Sequence, residues 1–254
     1  MKVTIIIPVF NEKDTIVELL KRVIGSNITI GKEIVVVDDG STDGTSKILD
    51  DFYIAFKKRG FATELKVLHK ENGGKGSAIY EGLKHASGDI IGIQDADLEY
   101  FPEDYGIILD PMLKGVARVV YGSRFMGRYI PQGMMFKNFT GNMVLNITAW
   151  VLFSFGCVTD MATCYKFWFR KDIPYEDLKC EGFEFCPVHF AAAWKRGLKP
   201  FEVPIRFNAR WYDQGKKITT KAGFYELWTL IKLGIKYGRL TIVGREIPHA
   251  LAVG

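Results

Sequence analysis

The sequence predicts an α/β fold with a mostly parallel, Rossmann-like sheet flanked by helices. In the first half of the chain, short runs rich in β-branched residues alternate with longer segments of helical periodicity. Polar and acidic residues follow directly after the first, second and fourth of these runs, where parallel sheets bind their ligands. With 254 residues, 48% of them hydrophobic, the chain is long enough to bury a large core around a deep cleft.

Five short apolar runs are predicted to be strands. They are Val3–Val9, Ile34–Val37, Lys66–Leu68, Ile90–Ile93 and Arg118–Tyr121. The segments between them have the length and the apolar spacing of helices. These predicted helices are Asp14–Ile24, Asp43–Lys57, Lys75–His85 and Glu103–Leu113. The alternating order favours parallel pairing, so the polar loops are expected together at the carboxyl ends of the strands.

The second half of the chain is less regular. Asn138 to Thr159 has no formal charge and is long enough to be tested as a membrane span. Asn138, Asn142 and Asn146 form a polar stripe there, which favours a partly buried or interfacial helix. The remaining segments are an irregular Asp160–Ile173, a helix near Pro187–Arg196, an extended Phe201–Phe207 and a helical pattern over Lys221–Tyr237. No repeat and no Pro/Gly/Ser-rich linker interrupts the chain, so one continuous domain is expected.

Charge and cysteine content exclude several classes of protein. Thirty-four Lys and Arg against 29 Asp and Glu give a net charge of +5 without a basic run, so no nucleic-acid partner is expected. The first apolar run is too short for a signal peptide. The four cysteines contain no C-x2-C pair, which favours reduced thiols in the cytoplasm over a zinc site: Cys157, Cys164, Cys180 and Cys186.

An acidic and Gly/Ser-rich turn follows the second predicted strand, over 38–44. A carboxylate at such a strand end can accept hydrogen bonds from a base or a ribose. The same residues also read as a polar turn with a helix N-cap, since Thr42 or Asp43 can cap the following helix. The turn alone does not decide between these interpretations.

Two further turns indicate a bound diphosphate. Asp95 and Asp97 follow the fourth predicted strand one residue apart, and such carboxylates repel each other unless a cation lies between them. Mg²⁺ commonly binds through one or two carboxylates and substrate phosphates, so this pair predicts a metal site. Residues 72–78 form a Gly-rich turn that carries Lys75 but lacks the GK[ST] ending of a Walker loop. Nucleotide binding is therefore favoured over ATP hydrolysis, with a flexible surface turn as the alternative.

Together these segments resemble the family 2 glycosyltransferases, which have a GT-A fold, over nearly the whole chain. The resemblance is carried by P-V-F-N-E at 8–12, V-V-V-D-D-G-S-T-D-G-T at 35–45, N-G-G-K-G-S-A at 72–78 and D-A-D-L at 95–98. Later segments are similar to the dolichyl-phosphate mannosyltransferase (polyprenyl-phosphate hexosyltransferase) subgroup. These are G-S-R-F at 122–125, T-D-M-A-T-C-Y-K at 159–166, F-E-V-P-I at 201–205 and R-W-Y-D-Q-G-K-K at 210–217. A catalytic domain is expected over 1–217, followed by an amphipathic helix and tail over 218–254.

The resemblance implies a role for each residue of the expected site. The nucleotide sugar is assigned to Pro8, Phe10, Asn11, Glu12, Asp39, Lys75, Asp95 and Lys216. Mg²⁺ or Mn²⁺ is assigned to Asp95, Asp97 and Glu99, and the acceptor phosphate to Arg124 and Lys137. Asp97, Arg124 and Arg210 are the expected catalytic residues, with Arg210 and Lys216 closing on the donor diphosphate. One departure is Val188, which stands where the resemblance leads us to expect a glutamate.

The implied reaction is the inverting transfer of a hexose from a nucleotide diphosphate sugar, GDP-mannose or UDP-glucose, to a polyprenyl (dolichyl) phosphate. A lipid phosphate is already an anion near neutral pH, so the site needs cations rather than a base. A GT-A enzyme acting on a soluble sugar or protein hydroxyl is the alternative, and it needs a base such as Asp160. A non-catalytic nucleotide-sugar-binding module is the third interpretation.

The last helical pattern indicates how a lipid acceptor is reached. At 100° per residue its apolar residues fall on one arc, with lysines beside them: Phe224, Leu227, Trp228, Ile231 and Ile235, with Lys217, Lys221, Lys232 and Lys236. Such a helix can lie on anionic lipid, which predicts a cytoplasmic protein peripherally associated with the membrane. The alternatives are a helix packed on its own domain and a separate membrane-anchoring subunit.

Overall fold

A seven-stranded sheet forms the centre of the protein. The computed structural model describes residues 1–126, 136–153, 158–210 and 220–238, with the backbone alone at 136–138 and 220–221. The strands are β1 (Lys2–Val9), β2 (Gly31–Asp38), β3 (Glu64–His69), β4 (Ile90–Ile93), β5 (Val119–Ser123), β6 (Lys166–Phe169) and β7 (Phe201–Pro204). Their order across the sheet is β3-β2-β1-β4-β6-β5-β7. Only β6 runs antiparallel to its neighbours among these strands, so the sheet is mostly parallel.

Helices cover both faces of the sheet. They are α1 (Ile16–Gly25), α2 (Thr45–Arg59), α3 (Lys75–His85), α4 (Tyr105–Leu113), α5 (Phe136–Phe153), α6 (Phe185–Lys195) and α7 (Thr220–Tyr237). One hydrophobic cluster joins the sheet to α1, α2 and α4, and a second joins its other face to α3, α5, α6 and α7. Both faces of the central strands are therefore buried, which explains why β1 and β2 read as continuous apolar runs.

The predicted α/β fold is confirmed, and the five strands of the first half lie where the sequence indicated. The structure differs at residues 160–173, which look irregular in sequence but contain β6. This strand is only four residues long and lies between β4 and β5. Its sequence, KFWF, is buried over its first three residues, so it shows none of the alternation that identifies a half-exposed strand.

Parallel pairing brings the polar loops together. Val9 pairs with Asp38, and Ile6 pairs with Ile93, so the loops after β1, β2 and β4 leave the same edge of the sheet. Gly40 allows the loop after β2 to contact the Gly-rich turn. It has a φ of 72°, and a Cβ there would lie 2.8 Å from the backbone nitrogen of Asn72.

Helices α5 and α7 pack against each other and present apolar side chains outward. On α5 the exposed set includes Met143, Val144, Ile147, Trp150 and Val151. On α7 it comprises Phe224, Tyr225, Trp228 and Ile235. Leu230 is fully buried on the inner face of α7. No helix in the described part of the chain has both the length and the apolar character needed to cross a bilayer.

Candidate active site

A cavity of about 370 Å³ opens where the loops after β1, β2 and β4 meet. It collects most of the residues that the sequence predicted for the site. Those that line it are Pro8, Phe10, Glu12, Asp39, Lys75, Asp95, Asp97, Glu99, Arg124 and Arg210. This size and position are typical of a small-molecule site in an open α/β sheet.

Asn11 and Asp39 connect the loops that form one side of the cavity. The Asn11 side chain accepts a hydrogen bond from the Thr42 N–H at 2.8 Å, which joins the loop after β1 to the loop after β2. Asp39 is 3% exposed and accepts hydrogen bonds from Lys70 Nζ and from the N–H groups of Gly73 and Gly74, at 2.7 to 3.0 Å. Both side chains therefore fix the shape of this side of the cavity.

The main-chain N–H groups of the Gly-rich turn bond within the protein. What the turn offers to the cavity is therefore a side chain. The N–H groups of Gly73 and Gly74 donate to Asp39, and that of Gly76 donates to the carbonyl of Gly182 at 2.9 Å. Gly74 has a φ of 89°, and a Cβ there would lie 2.6 Å from the Glu181 carbonyl oxygen. The turn thus places Lys75 at the first residue of α3, facing the cavity.

Lys75 forms an ion pair with Asp95, the first carboxylate of the acidic pair. Its Nζ lies 2.6 Å from Asp95 Oδ1 and 3.0 Å from Cys164 Sγ. Burial lowers the pKa of Lys75, but the charges of Asp95 and Cys164 and the hydrogen bonds to them together outweigh burial and raise this pKa above its ordinary value. Lys75 is therefore a permanent cation beside Asp95.

Asp97 and Glu99 lie next to Arg210. Arg210 Nη2 contacts the Glu12 carboxylate at 2.9 Å and lies 3.8 Å from Asp97 Oδ2. Glu99 accepts the Arg210 N–H at 2.7 Å. Between the two acids Leu98 has a φ of 61°, a strained backbone conformation that persists mainly at functional sites. Among the described residues, no group of three His, Cys, Asp or Glu side chains is arranged to hold a metal ion.

Arg124 is held by Asp160. Its Nε donates to Asp160 Oδ2 at 2.8 Å, its Nη2 donates to Oδ1 at 2.7 Å, and its main-chain N–H donates to Oδ2 at 2.9 Å. Asp160 has no exposed surface, so this is a buried bidentate ion pair at the wall of the cavity. Only two of the five guanidinium N–H groups are needed for it, which leaves donors for a ligand.

Two predicted site residues fall outside what the structure describes. Several residues that line the cavity were, in turn, not predicted. Lys216 lies outside the described residues, and so does the side chain of Lys137, at the start of α5. The lining residues that sequence reasoning missed include Tyr100, Ala162, Cys164 and Phe183. Ala162 and Cys164 belong to the segment 159–166 that carried the family resemblance, which was their only signal. Tyr100 and Phe183 gave none.

Among the described residues, each lysine and arginine that lines the cavity has a carboxylate partner. Lys75 contacts Asp95, Arg210 contacts Glu12, and Arg124 contacts Asp160. Asp97 and Glu99 add further negative charge to the same wall. In this part of the chain, a ligand with several negative charges would therefore meet cations that are already paired.

Comparison with known proteins identifies relatives over most of the chain. The sequence profile described as Glycosyl transferase family 2 matches residues 4–171. The chain is 31% identical over 85% of its length to the undecaprenyl-phosphate 4-deoxy-4-formamido-L-arabinose transferase of Klebsiella pneumoniae, and spans 62% of that protein. It is 26% identical over 90% of its length to the UDP-N-acetylglucosamine–dolichyl-phosphate N-acetylglucosaminyltransferase of Methanococcus voltae, and spans 94% of it. It is 27% identical over 85% of its length to the dolichol-phosphate mannosyltransferase of Pyrococcus furiosus, and spans 59% of it.

The fold is also similar to solved structures. Glucosyl-3-phosphoglycerate synthase from Mycobacterium tuberculosis, crystallised with Mn²⁺, UDP and glucosyl-3-phosphoglycerate, superposes with a TM-score of 0.65. The match covers 91% of this chain and 79% of that one, at 20% identity. At this identity the likeness concerns the fold, and it confirms the GT-A architecture.

Proposed function

The chain belongs to glycosyl transferase family 2, and on that premise we propose that it transfers a hexose from a nucleotide diphosphate sugar to a polyprenyl phosphate. The donor we propose is GDP-mannose or UDP-glucose, and the place of reaction is the cytoplasmic face of a membrane. Three relatives named for undecaprenyl-phosphate or dolichyl-phosphate acceptors support the acceptor class. The observation that carries the proposal is one cavity lined by Asp95, Asp97 and Arg124, in which the buried Asp160 holds Arg124.

The acceptor in this proposal needs no base. A polyprenyl phosphate brings its own oxyanion, which Arg124 can bind and orient through the N–H groups that Asp160 leaves available. Acceptors with a neutral hydroxyl require a carboxylate that can take a proton. Asp160, the residue we considered for that role, is fully buried and bonded through both oxygens to Arg124. This arrangement favours a phosphate acceptor over a soluble hydroxyl.

Asp95 and Asp97 fit a Mg²⁺ or Mn²⁺ ion in their chemistry. Both are hard oxygen donors on the cavity wall, and every described lysine or arginine lining that wall has a carboxylate partner. Solved GT-A structures with Mn²⁺ or Mg²⁺ and UDP support a divalent ion as well. When bound, such an ion offsets the negative charge that grows on the departing nucleoside diphosphate. Glu99 is the third ligand that we propose, on the family resemblance alone, because the described structure does not gather the three carboxylates into a metal site.

The protein's own residues have separate tasks in this proposal. Pro8, Phe10, Glu12 and Asp39 shape the part of the cavity proposed for the nucleoside. Arg210, close to Asp97, stabilises the donor diphosphate, while Lys75 stays charged beside Asp95. Arg124 faces the acceptor phosphate. Lys137 and Lys216 keep their proposed roles toward the acceptor and the donor.

We also propose that the exposed faces of α5 and α7 rest on the membrane. Residues 1–217 then form the catalytic domain, and 218–254 contain the helix that contacts lipid. Trp150 on α5 and Trp228 on α7 are 51% and 54% exposed, on two helices that pack together. Exposed aromatic side chains of this kind are typical of membrane-interface helices.

The proposal is tested by ligand binding and by transfer. Thermal unfolding is measured with UDP and with GDP, each with and without Mn²⁺, because a ligand that binds the native state raises its stability. Transfer from UDP-glucose and from GDP-mannose is then measured with farnesyl phosphate as acceptor. We expect one nucleotide to stabilise the protein only with Mn²⁺, and its sugar to be transferred. Transfer to a neutral alcohol in preference to farnesyl phosphate would support the alternative acceptor.

A further inference from the structure

The proposed acceptor arginine depends on a loop that two other elements hold. Arg124 is positioned by Asp160, which lies in the loop Thr159–Ala162 between α5 and β6. A guanidinium recognises phosphate through two parallel N–H groups, so its orientation matters as much as its charge. Any residue that fixes Asp160 therefore also fixes the geometry that Arg124 offers to a phosphate.

Asn146 of α5 holds this loop with both atoms of its side-chain amide. Its Nδ2 donates to the Thr159 carbonyl at 2.6 Å, and its Oδ1 accepts the Met161 N–H at 2.9 Å. Asn142, one turn earlier, makes the corresponding but longer pair to Thr159 and Ala162, at 3.4 and 3.3 Å. The backbone on both sides of Asp160 is thus bonded to α5.

Glu202 of β7 holds the same loop. Its Oε2 accepts the Thr159 N–H at 2.8 Å, and its Oε1 accepts the Asp160 N–H and the Thr159 hydroxyl at 3.0 Å each. The hydrogen bonds of Asn146 and Glu202 together cover three successive peptide groups of the loop. Such complete satisfaction of a short loop restricts where the Asp160 carboxylate can lie.

We propose that Asn146 and Glu202 are positioning residues for the acceptor phosphate, acting through the Asp160 carboxylate to orient the guanidinium of Arg124. The inference rests on the proposed function, since it takes Arg124 as the acceptor-binding residue. In the described part of the chain neither residue lines the cavity, whereas Arg124 does. Their effect on the acceptor passes through Asp160 and Arg124.

The test is a mutant cycle read by the affinity for farnesyl phosphate, measured by calorimetry. Arg124→Ala is expected to weaken binding about 10- to 150-fold, since it removes a charge-assisted hydrogen bond. It also leaves Asp160 buried without a partner, which can impair folding. The cycle therefore uses Arg124→Lys, because lysine keeps a positive charge near Asp160 but lacks the planar guanidinium and its paired N–H donors.

We expect Asn146→Ala and Glu202→Ala each to weaken binding about tenfold when Arg124 is present, because they release its orientation. In the Arg124→Lys background the same changes should have little further effect, because a lysine ammonium needs no fixed plane. Glu202→Gln keeps an oxygen that can accept the Asp160 N–H but turns its NH2 toward the Thr159 N–H, so it should lose less affinity than Glu202→Ala. Thr148→Ala is the matched control on α5, since the Thr148 hydroxyl bonds only within its own helix in the described structure.

The possible results separate this inference from the proposed function. Wild-type protein that does not bind farnesyl phosphate would overturn both. Wild-type binding that is weakened in Arg124→Lys but unchanged in folded Asn146→Ala and Glu202→Ala would overturn the inference alone. An equal loss in the wild-type and Arg124→Lys backgrounds would also overturn it, because Asn146 and Glu202 would then act independently of the guanidinium.

Discussion

At the scale of single residues, the cavity is organised by ion pairs between residues that are distant in sequence. Arg210 contacts Glu12, and Arg124 contacts Asp160. Each pair keeps a long side chain in place before any ligand arrives, which reduces the entropy lost on binding. Asp97 lies 3.8 Å from Arg210 Nη2, a longer contact than the hydrogen-bonded pairs make. This longer contact supports the proposed role of Asp97 as a metal ligand.

Asp97→Ala is expected to remove most turnover and the Mn²⁺ dependence of nucleotide binding. The reason is that the variant loses one of the carboxylate ligands proposed for the ion. Transfer rates and thermal shifts with and without Mn²⁺ measure both effects. Asp51→Ala, on the exposed surface of α2, is the matched control and should behave as wild type. A folded Asp97→Ala protein with wild-type activity in EDTA would contradict the metal assignment.

At the scale of elements, Glu33 joins three strands and the end of a helix. Its carboxylate accepts hydrogen bonds from Thr4 of β1 at 2.5 Å, from Lys66 of β3 at 2.7 Å and from the N–H and hydroxyl of Ser87. Burial raises the pKa of Glu33, but these donors outweigh burial and lower the pKa from 4.5 to about 2. The charged form is therefore the one that stabilises the sheet.

This pKa predicts how acid destabilises the protein. Because the folded pKa is depressed, the stabilisation by Glu33 is present above pH 4.5 and is lost as the pH falls toward 2. Between pH 5 and pH 3 the free energy of unfolding should fall by about 2 kcal/mol more in wild type than in Glu33→Gln. Urea unfolding at each pH measures the difference. Glu64→Gln, in an exposed pair with Lys2, is the control and should follow wild type.

Close contact between α5 and α7 depends on a glycine. A Cβ at Gly234 of α7 would lie 2.5 Å from Leu152 Cδ1 and 2.8 Å from its Cβ, whereas a Cβ at Gly223 of the same helix meets no atom within 4 Å. Gly234→Ala is therefore expected to lower the free energy of unfolding by about 1–3 kcal/mol. Gly223→Ala should raise it by up to about 1 kcal/mol, because alanine is the better helix former. Urea unfolding of both variants checks the prediction, and equal effects would contradict it.

At the scale of the whole molecule, the sequence was most informative where local pattern and chemistry coincide. Asp95 and Asp97 were identifiable because a strand and a paired-carboxylate spacing occur together. The Arg124–Asp160 pair was not, since 36 residues separate its members and only the sheet brings them together. Strand β6 was missed for the same reason, because its position between β4 and β5 is decided by tertiary packing. Long-range pairing of this kind leaves no periodic signal in a single sequence.

The outer surface of α5 and α7 is the part of the molecule that we propose to contact the membrane. The apolar residues predicted to share one face of α7 do not all face the same way. Leu227 packs against the core, while Phe224 and Ile235 are 69% and 62% exposed. The helix thus packs on its own domain and also presents an apolar face outward. Lys232 and Lys236 are exposed beside that face, where lysines can contact anionic headgroups.

Reversing both lysines, Lys232→Glu with Lys236→Glu, is expected to weaken binding to vesicles that contain anionic lipid. Each lysine near the surface contributes about 1 kcal/mol at modest salt, so the double reversal should cost at least about tenfold in affinity. Transfer to farnesyl phosphate should be retained, because neither lysine lines the cavity. Sedimentation with anionic and neutral vesicles, at low and high salt, measures the binding. Reversal of Lys57 and Lys58, in the last turn of α2 on the other face of the sheet, is the matched control. Vesicle binding that does not change with salt, with lipid charge or with the double reversal would assign α7 a packing role alone. A double variant that fails to fold would give the same conclusion, since side chains that face headgroups should tolerate the change.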